Sequence, residues 1–364
     1  MVDGVMDTEG GAPVKLGGVR DVVQDKMAQR PPSGPAQVGL TDRKAAPEHT
    51  SIYGVASRYG SVALLAVVMV VFSVLSPEFL TVANLGGLFK TEAVGASVSL
   101  AVLIPLIAGE FDLSVGYMIG LLSLEGAVLM QGGITEFPMI VIVLATGVAC
   151  GLVNGILVVN MNVSAFIATL ATGIILSALT QGLSHGLPVV VNVTGLLHSL
   201  GDNNLLGVGI SVWLVIVIAI IMLVALEYTA PGRRLYATGG AERVAFMAGV
   251  PTKRLRILSF VFAAFIVAIG ALMELGAQSA GDPSFGPELL LPGYAAVFLG
   301  VTTHRPGYYN VVGTVVAVVL LAVGFDGLSL LGVPFWAEPL FDGAVLLAAV
   351  LLARREARQV KVGF

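Results

Sequence analysis

The long stretch from Thr91 to Gly232 contains no Lys or Arg, although the chain carries 19 basic residues in all. The whole chain is 56% hydrophobic and only 12% charged, whereas soluble domains carry about 25% charged residues. A segment of that length without a basic side chain, filled with apolar runs, predicts an integral membrane protein. The net charge is −4, and the basic residues cluster by predicted side of the membrane, so the sequence indicates no nucleic-acid partner.

A membrane-crossing helix needs about 20 apolar residues, and that rule predicts an all-α polytopic transmembrane helix bundle with about ten spans. Abundant glycine, 45 residues, favours close helix packing in such a bundle. The eighth candidate contains Pro292 and Gly293 and is expected to be broken or tilted, which leaves eight, nine or ten full spans open. The predicted spans are centred near Val67, Val98, Leu122, Leu144, Ala171, Val217, Ala264, Val297, Val318 and Leu347.

Three regions are predicted along the chain. Residues 1–57 mix Gly, Pro and both signs of charge and are expected to form a disordered cytoplasmic tail without a cleaved signal peptide. Residues 58–353 form the membrane domain, and residues 354–364 form a second cytoplasmic tail. Because basic residues are retained in the cytoplasm, the basic segment 231–256 and both termini are placed inside, and only Lys90 violates this orientation.

The stretch GEFDLSVG, residues 109–116, places two carboxylates between apolar runs. Asp112 stands just before a predicted helix, where its side chain can accept the backbone N–H of Ser114 or Val115. Alternatively this polar break lines a transport path, because polar groups at membrane depth survive mainly beside water or protein. Glu110 is expected to be the more replaceable carboxylate. Other polar side chains in apolar spans also have two interpretations. They either form hydrogen bonds between helices or contact the transported solute: Asn154, Asn160, Asn162, Thr169 and Thr172.

The segment AERVAFMAGV, residues 241–250, is predicted to form a short helix that ends at Gly249 and Pro251. Its small face comprises Ala241, Ala245 and Ala248, and Phe246 and Met247 are available as projecting side chains. Such a helix could dock into a groove on a soluble partner. The alternative is a basic loop held by lipid headgroups.

Two kinds of chemistry find no support in the sequence. A nucleotide-binding P-loop requires a Lys directly after Gly, and none of the six lysines follows a glycine, so any ATP hydrolysis must occur in another polypeptide. No two of the four histidines have the spacing of metal ligands. The chain is therefore expected to be a transport subunit rather than an enzyme, and to hold no metal.

The stretch GEFDLSVG resembles the G-x-DLSVG signature of the inner-membrane permease subunits of bacterial ribose- and xylose-type (simple sugar) ABC importers. Further stretches agree with that family in order: GLVNGILVV and SAFIATLATG within 151–173, YATGGAERVAFMAGV at 236–250, YAAVFLG at 294–300 and GTVVAVVLLAVGFDGLSLLGV at 313–333. The chain departs from the family at GVTTHRPGYYN, where a Gly-rich segment is usual, and at Glu125, where a small residue is usual.

The resemblance implies a function, a set of partners and two sets of site residues. The permease moves a simple sugar from an extracytoplasmic binding protein into the cytoplasm of a bacterium. Its partners are an ATPase subunit, expected to have two fused ATPase domains that use ATP and Mg, a second permease copy or a related one, and membrane lipid. The residues implied to couple to the ATPase are Gly239, Gly240, Glu242, Arg243, Ala245, Met247 and Gly249. The candidates for the translocation path or gating are Asp112, Ser114, Asn154, Phe166 and Thr169.

Two other classes of function remain open from the residues alone. An ion-coupled secondary transporter of small polar solutes would use Glu125, an acid deep in a predicted span, as a proton relay. A membrane scaffold would explain the hydrophobicity of the chain but not its polar breaks.

Overall fold

The computed structural model of the chain describes residues 52–334 and 336–361. Most of these residues lie in helices, which confirms the all-α polytopic class. Within the described ranges the α-helices are α1 (Ile52–Leu75), α2 (Val82–Ile107), α3 (Ser114–Gln131), α4 (Glu136–Val159), α5 (Ala165–Ser184), α6 (Gly195–Asp202), α7 (Ile210–Leu223), α8 (Ala230–Gly240), α9 (Glu242–Met247), α10 (Thr252–Gln278), α11 (Leu290–Gly300), α12 (Val311–Leu330) and α13 (Ala337–Lys361). A π-helical turn, Val224–Tyr228, continues α7, and a short 3-10 turn, Pro287–Leu289, precedes α11.

All ten predicted span centres fall inside helices. Of the described helices, seven are long and apolar enough to cross a membrane: α2, α3, α4, α5, α7 with its π-helical turn, α10 and α12. Two shorter apolar stretches, Ser61–Leu75 and Pro287–Gly300, belong to α1 and α11. The number of full spans beyond these seven stays a prediction.

The predicted domain boundaries differ slightly from the helix ends. Most of the predicted N-terminal tail, residues 1–51, lies outside the described residues, as do residues 362–364 of the C-terminal tail. Helix α1 begins at Ile52, before the expected boundary at 58, and α13 continues to Lys361, past the boundary at 353. Hydrophobic length locates the apolar part of a helix, whereas a helix can extend beyond it into more polar surroundings.

The centre of the bundle consists of α2, α3 and α10. In α2 and α3, 72% and 67% of an 18-residue apolar stretch of the helix is buried inside the protein. The corresponding share is 28% in each of α4, α5 and α7. Glycines allow the close approach of α4 to α10, since a Cβ at Gly147 or Gly151 would overlap atoms of Ala264, Ala268 or Phe260. This packing is the role of small residues that the composition predicted.

The helices alternate between two ends of the bundle. We call the end that carries α8 and α9 the coupling end; α2 arrives there and α3 leaves. At the opposite end, β1 (Val189–Val190) pairs antiparallel with β4 (Ala280–Gly281), and β2 (Asn204–Leu205) pairs with β3 (Val208–Gly209). Lys90, the exception to the predicted orientation, also lies at this opposite end, where its Nζ is 3.3 Å from Asp202 Oδ1.

The eighth segment is not interrupted at Pro292 and Gly293: α11 is continuous from Leu290 to Gly300, and the chain without α-helix lies before it. Residues 281–289 contain no α-helix and pack closely along α3, so that a Cβ at Gly281 would meet Leu124 and one at Gly286 would meet Gly116. Gly286 has φ +115°, a conformation that favours glycine. Pro292 lies in the first turn of α11, where its missing N–H has no helical partner to lose.

Candidate functional site

The chain turns sharply between α2 and α3 at the coupling end. Gly109 has φ +86°, and the N–H of Glu110 donates to the carbonyl of Pro105 at 2.9 Å. A residue without a Cβ adopts this left-handed conformation at little cost. The turn therefore places Glu110 and Asp112 on separate sides of one short loop.

Asp112 accepts hydrogen bonds at the start of α3, as the sequence predicted. Its Oδ1 accepts the backbone N–H of Ser114 at 3.0 Å and the hydroxyl of Ser114 at 2.6 Å. The side chain is fully buried, and Oδ2 has no hydrogen-bond partner within the described structure. The predicted hydrogen bond from the Ser114 N–H is present, with Leu113 at the cap position of the helix, and one carboxylate oxygen makes no hydrogen bond to the described residues.

These contacts belong to a larger set of hydrogen bonds, which we call the polar network. Asn154 Nδ2 donates to the Ser114 hydroxyl at 2.7 Å, and the Thr172 hydroxyl donates to Asn154 Oδ1 at 2.8 Å. The N–H of Leu113 donates to Thr169 Oγ1 at 3.0 Å. The network thereby joins the start of α3 to α4 and α5. Its members are Asp112, Ser114, Asn154, Thr169, Thr172 and Tyr294.

Tyr294 is the member that sequence reasoning missed. Its hydroxyl accepts the N–H of Asp112 at 3.0 Å, which ties α11 to the same turn. Its ring stacks on Phe111 and Phe298, with centroids 5.9 Å and 6.2 Å away. The sequence did contain a signal for this contact, the Tyr of YAAVFLG. It is a lone polar group in an apolar run, and a buried tyrosine hydroxyl usually has a hydrogen-bond partner.

Four of the five predicted path candidates meet in the polar network, and Phe166 does not. Its side chain is 53% exposed on the outside of α5. Phe166 therefore lies outside the polar network, and its assignment to a path stays a prediction. That the other four line a path stays a prediction.

The predicted short helix of residues 241–250 is present as α9, and its surface pattern matches the expectation. Ala245 is buried against the bundle. Val244, Phe246 and Met247 are each more than half exposed, and Gly249, with φ +82°, ends the helix. A single turn that presents apolar side chains away from its own bundle is suited to contact another protein.

A close backbone contact joins α8 to the turn between α2 and α3. A Cβ added to Gly239 would overlap the carbonyl oxygen of Ile107, and one added to Gly109 would touch Gly239. Gly240, the next residue, has open space around its Cβ position. Gly239 and Gly240 were both predicted to couple to the ATPase. Only at Gly239 does the packing leave no room for a side chain.

Three charged side chains make a second connection, which we call the charged cluster: Glu110, Arg256 and Glu242. Arg256 Nε is 2.6 Å from Glu110 Oε1, and Arg256 Nη1 is 2.7 Å from Glu242 Oε1. Burial raises the pKa of the Glu110 carboxyl, and Arg256 opposes that shift. The expectation that Glu110 is the more replaceable of the two carboxylates stays a prediction; the structure shows that Glu110 is 8% exposed and bound to Arg256.

The chain matches known proteins over most of its length. Residues 85–350 match the family described as branched-chain amino acid transport system / permease component. This chain belongs to that permease family.

Individual relatives are similar over nearly their full lengths. The ribose import permease protein of Escherichia coli (strain K12) is 29% identical over 299 residues, 81% of this chain and 93% of the relative. The ribose import permease protein of Bacillus subtilis (strain 168) is 29% identical over 83% of this chain and 94% of the relative. The L-arabinose transport system permease protein of Escherichia coli (strain K12) is 31% identical over 86% and 96%. No solved structure matches. The predicted resemblance to sugar importer permeases is confirmed.

The departure at GVTTHRPGYYN forms a compact loop of the permease between α11 and α12. Asn310 Nδ2 donates to the carbonyls of Gly300, Thr303 and Tyr308 within 3.2 Å. The loop contacts α8 through the Tyr236 hydroxyl, which donates to the carbonyl of Tyr309 at 2.6 Å. Burial raises the pKa of Tyr236 to about 12, so this hydroxyl keeps its proton near neutral pH.

Glu125 of the permease, the residue of the secondary-transporter interpretation, lies away from the polar network on α3. Its Oε1 accepts the Thr146 hydroxyl at 2.9 Å, and its Oε2 is buried without a partner among the described residues. The contact is local, between α3 and α4.

Proposed function

We propose that this permease forms the membrane path of an ATP-binding cassette importer for a simple sugar of pentose size. Relatives that this chain covers over more than nine-tenths of their length are named for import of ribose and of L-arabinose. That extensive coverage is the observation that carries the proposal. The permease has no enzymatic role of its own in this scheme, and it needs no bound cofactor.

We place ATP hydrolysis in a partner subunit with two fused ATPase domains that use ATP and Mg. The exposed side chains of α9 support a docking site for that partner, because Val244, Phe246 and Met247 project away from the bundle while Ala245 anchors the helix. Arg243, beside them, is exposed and available for polar contacts at the rim.

The proposed orientation puts the coupling end in the cytoplasm of a bacterium, with both termini on that side of the inner membrane. The distribution of basic residues supports it: Arg233, Arg234, Arg243, Lys253, Arg254, Arg256 and Arg305 lie at the coupling end, and Lys90 at the opposite end is paired with Asp202. The opposite end then meets an external sugar-binding protein. A second permease copy completes the path.

The proposed coupling mechanism follows the contacts. A movement of α9, imposed by the ATPase, reaches Arg256 through Glu242 and reaches the turn between α2 and α3 through Glu110. The Gly239 contact with Ile107 prevents α8 from moving independently of that turn. The turn carries Asp112, so the movement is passed to α4, α5 and α11 through the polar network, and the path opens alternately to each side.

Transport by reconstituted components tests the proposal. The permease would be placed in vesicles with a candidate ATPase and a candidate sugar-binding protein from the same cell, and uptake of labelled ribose and L-arabinose would be measured with ATP and with a non-hydrolysable analogue. ATP-dependent uptake of a pentose supports the proposal. Uptake driven by a pH gradient without the ATPase would reject it and favour the secondary transporter.

A further inference from the structure

A pocket at the coupling end is lined by an unusual concentration of positive charge. Its volume is about 680 Å³, and Arg233, His304 and Arg305 line it together with Tyr236 and Tyr308. Glu227, from the π-helical turn that ends α7, is the one carboxylate among the lining residues. We call this the cationic pocket. It is separate from the polar network and from the charged cluster.

Within the cationic pocket, Glu227 lies close to His304 and Arg305 but does not also balance the charge of Arg233. Glu227 Oε2 lies 3.3 Å from Arg305 Nη2 and 3.7 Å from His304 Nε2. The Glu227 side chain is only 2% exposed, whereas those of His304 and Arg305 are 41% and 47% exposed. The buried carboxylate therefore positions two cationic groups that still face the pocket.

Arg233 adds a charge that Glu227 does not balance. It donates from Nη1 to the carbonyl of Tyr228 at 3.4 Å, and this contact is exposed. Two guanidinium groups against one carboxylate leave a net positive charge. Guanidinium groups bind phosphate oxygens with several N–H donors at once, so the pocket is complementary to a phosphate ester.

An apolar groove begins where the cationic pocket ends. Its volume is about 560 Å³, it lies between α7 and α10, and Leu226 lines both the groove and the pocket. Ile221 and Phe262, both more than half exposed, are among the residues that line it. From Leu214 to Leu226 the groove follows α7 for about 18 Å, comparable with the thickness of one leaflet of the hydrocarbon core, about 15 Å.

Exposed tyrosines beside the pocket favour a position near lipid headgroups. Tyr228 and Tyr308 are exposed around it, 70% and 51%, and tyrosines concentrate where the hydrocarbon meets water. Basic pockets at that level between membrane helices attract anionic headgroups.

We propose that the cationic pocket and the apolar groove form one binding site for an acidic phospholipid. Its phosphate lies against Arg233, His304 and Arg305, and one acyl chain lies in the groove along α7. The site joins the π-helical turn of α7, α8 and the loop between α11 and α12. Occupancy by lipid would therefore stabilise the surroundings of α9 from the membrane side.

Lipid retention by the full-length permease tests this site independently of transport. The protein would be reconstituted in nanodiscs of phosphatidylcholine and phosphatidylglycerol in equal amounts, extracted, washed, and its bound lipids counted by native mass spectrometry. The parent protein should retain phosphatidylglycerol in preference to phosphatidylcholine. Arg233→Gln should lower that retention about fivefold, the effect of one basic residue near an anionic surface.

Two further variants separate the alternatives. Arg254→Gln removes an exposed cation of the same end outside the pocket and should leave retention unchanged; an equal loss would show general surface attraction and overturn the site. Ile221→Trp fills the groove and should also release phosphatidylglycerol. If Arg233→Gln left phosphatidylglycerol retention unchanged, the proposal would be overturned. That result is expected if the arginine binds the ATPase instead of lipid. Absence of retained phosphatidylglycerol in the parent protein, with inorganic phosphate bound in its place, would also overturn it, because it would show a site for free phosphate.

Discussion

Glu110 and Asp112 stand two residues apart in the same turn, yet they occupy different surroundings. Glu110 faces the coupling segment and is bound by Arg256, which also binds Glu242. Asp112 faces the centre of the bundle, where its partners are the neutral groups of Ser114 and its second oxygen has none. The charged cluster joins the turn to the partner-facing helix, and the polar network joins it to α4, α5 and α11.

In this turn one carboxylate forms an ion pair between distant segments, and the other accepts hydrogen bonds at the start of a helix. A charge pair between distant segments fixes their relative positions, and breaking it leaves one charge without compensation. A carboxylate that caps a helix accepts hydrogen bonds that an amide can also accept. We therefore expect the Glu110 side of the turn to depend on charge and the Asp112 side to depend on hydrogen-bond geometry.

The largest effect is expected where the turn touches α8. Gly239→Ala would place a Cβ against the carbonyl oxygen of Ile107, a backbone atom that cannot move aside alone. We expect sugar uptake to be lost, with reduced protein in the membrane. Gly240→Ala, where nothing lies within 4 Å, is the matched control and should retain uptake. Equal behaviour of the two variants would show that the close contact has no importance.

A strong effect, limited to coupling, is expected at the exposed surface of α9. Met247→Asp puts a charge into the proposed ATPase interface but leaves the buried core unchanged, since Met247 is 71% exposed. The variant should insert normally and lose both ATPase binding and uptake. Met247→Leu keeps the apolar surface and should behave as the parent. Unchanged uptake by Met247→Asp would remove α9 from the coupling mechanism.

A moderate effect is expected on the Asp112 side. Asn can accept the N–H of Ser114 as Asp112 does, so Asp112→Asn should retain most uptake. Asp112→Ala should cost about 0.5 to 2 kcal/mol of local stability. Uptake and membrane abundance of both variants give the answer. Normal abundance of Asp112→Asn with uptake lost would assign a role to the charge and erase the contrast with Glu110.

The smallest effect is expected at Glu125, which belongs to neither the charged cluster nor the polar network. Glu125→Gln keeps the hydrogen bond from Thr146 and removes the titratable charge. ATP-driven uptake should stay close to that of the parent. Loss of uptake, together with parent uptake driven by a pH gradient, would favour ion coupling.

Local features of this fold were predictable from the sequence. The span centres follow from hydrophobic length, the α9 helix from its Gly and Pro ends, and the hydrogen bond from Ser114 to Asp112 from its position before a helix. These features depend on residues that are close together in the chain. The break expected at Pro292 and Gly293 is absent; the chain without α-helix lies upstream, where Gly286 approaches α3 too closely for a side chain.

Long-range pairings were not predictable. Glu110 and Arg256 are 146 positions apart, and no periodicity in a single sequence relates them. Tyr294 was read only as part of a motif, because its partner, the N–H of Asp112, becomes its neighbour only when α11 packs against the turn. Phe166, a candidate implied by the family resemblance, lies outside the polar network with its side chain 53% exposed.

The central claim is that Glu110 and Arg256 act as one unit that joins the turn to the coupling segment. A double-mutant cycle of Glu110→Gln, Arg256→Gln and the double variant tests it, with ATP-driven sugar uptake and unfolding midpoints in the same vesicles. The account predicts that each single variant is impaired, by about 1 to 3 kcal/mol in stability, and that the double variant is no worse than Arg256→Gln alone. Additive losses in the double variant would show that the two side chains act separately and would contradict the account.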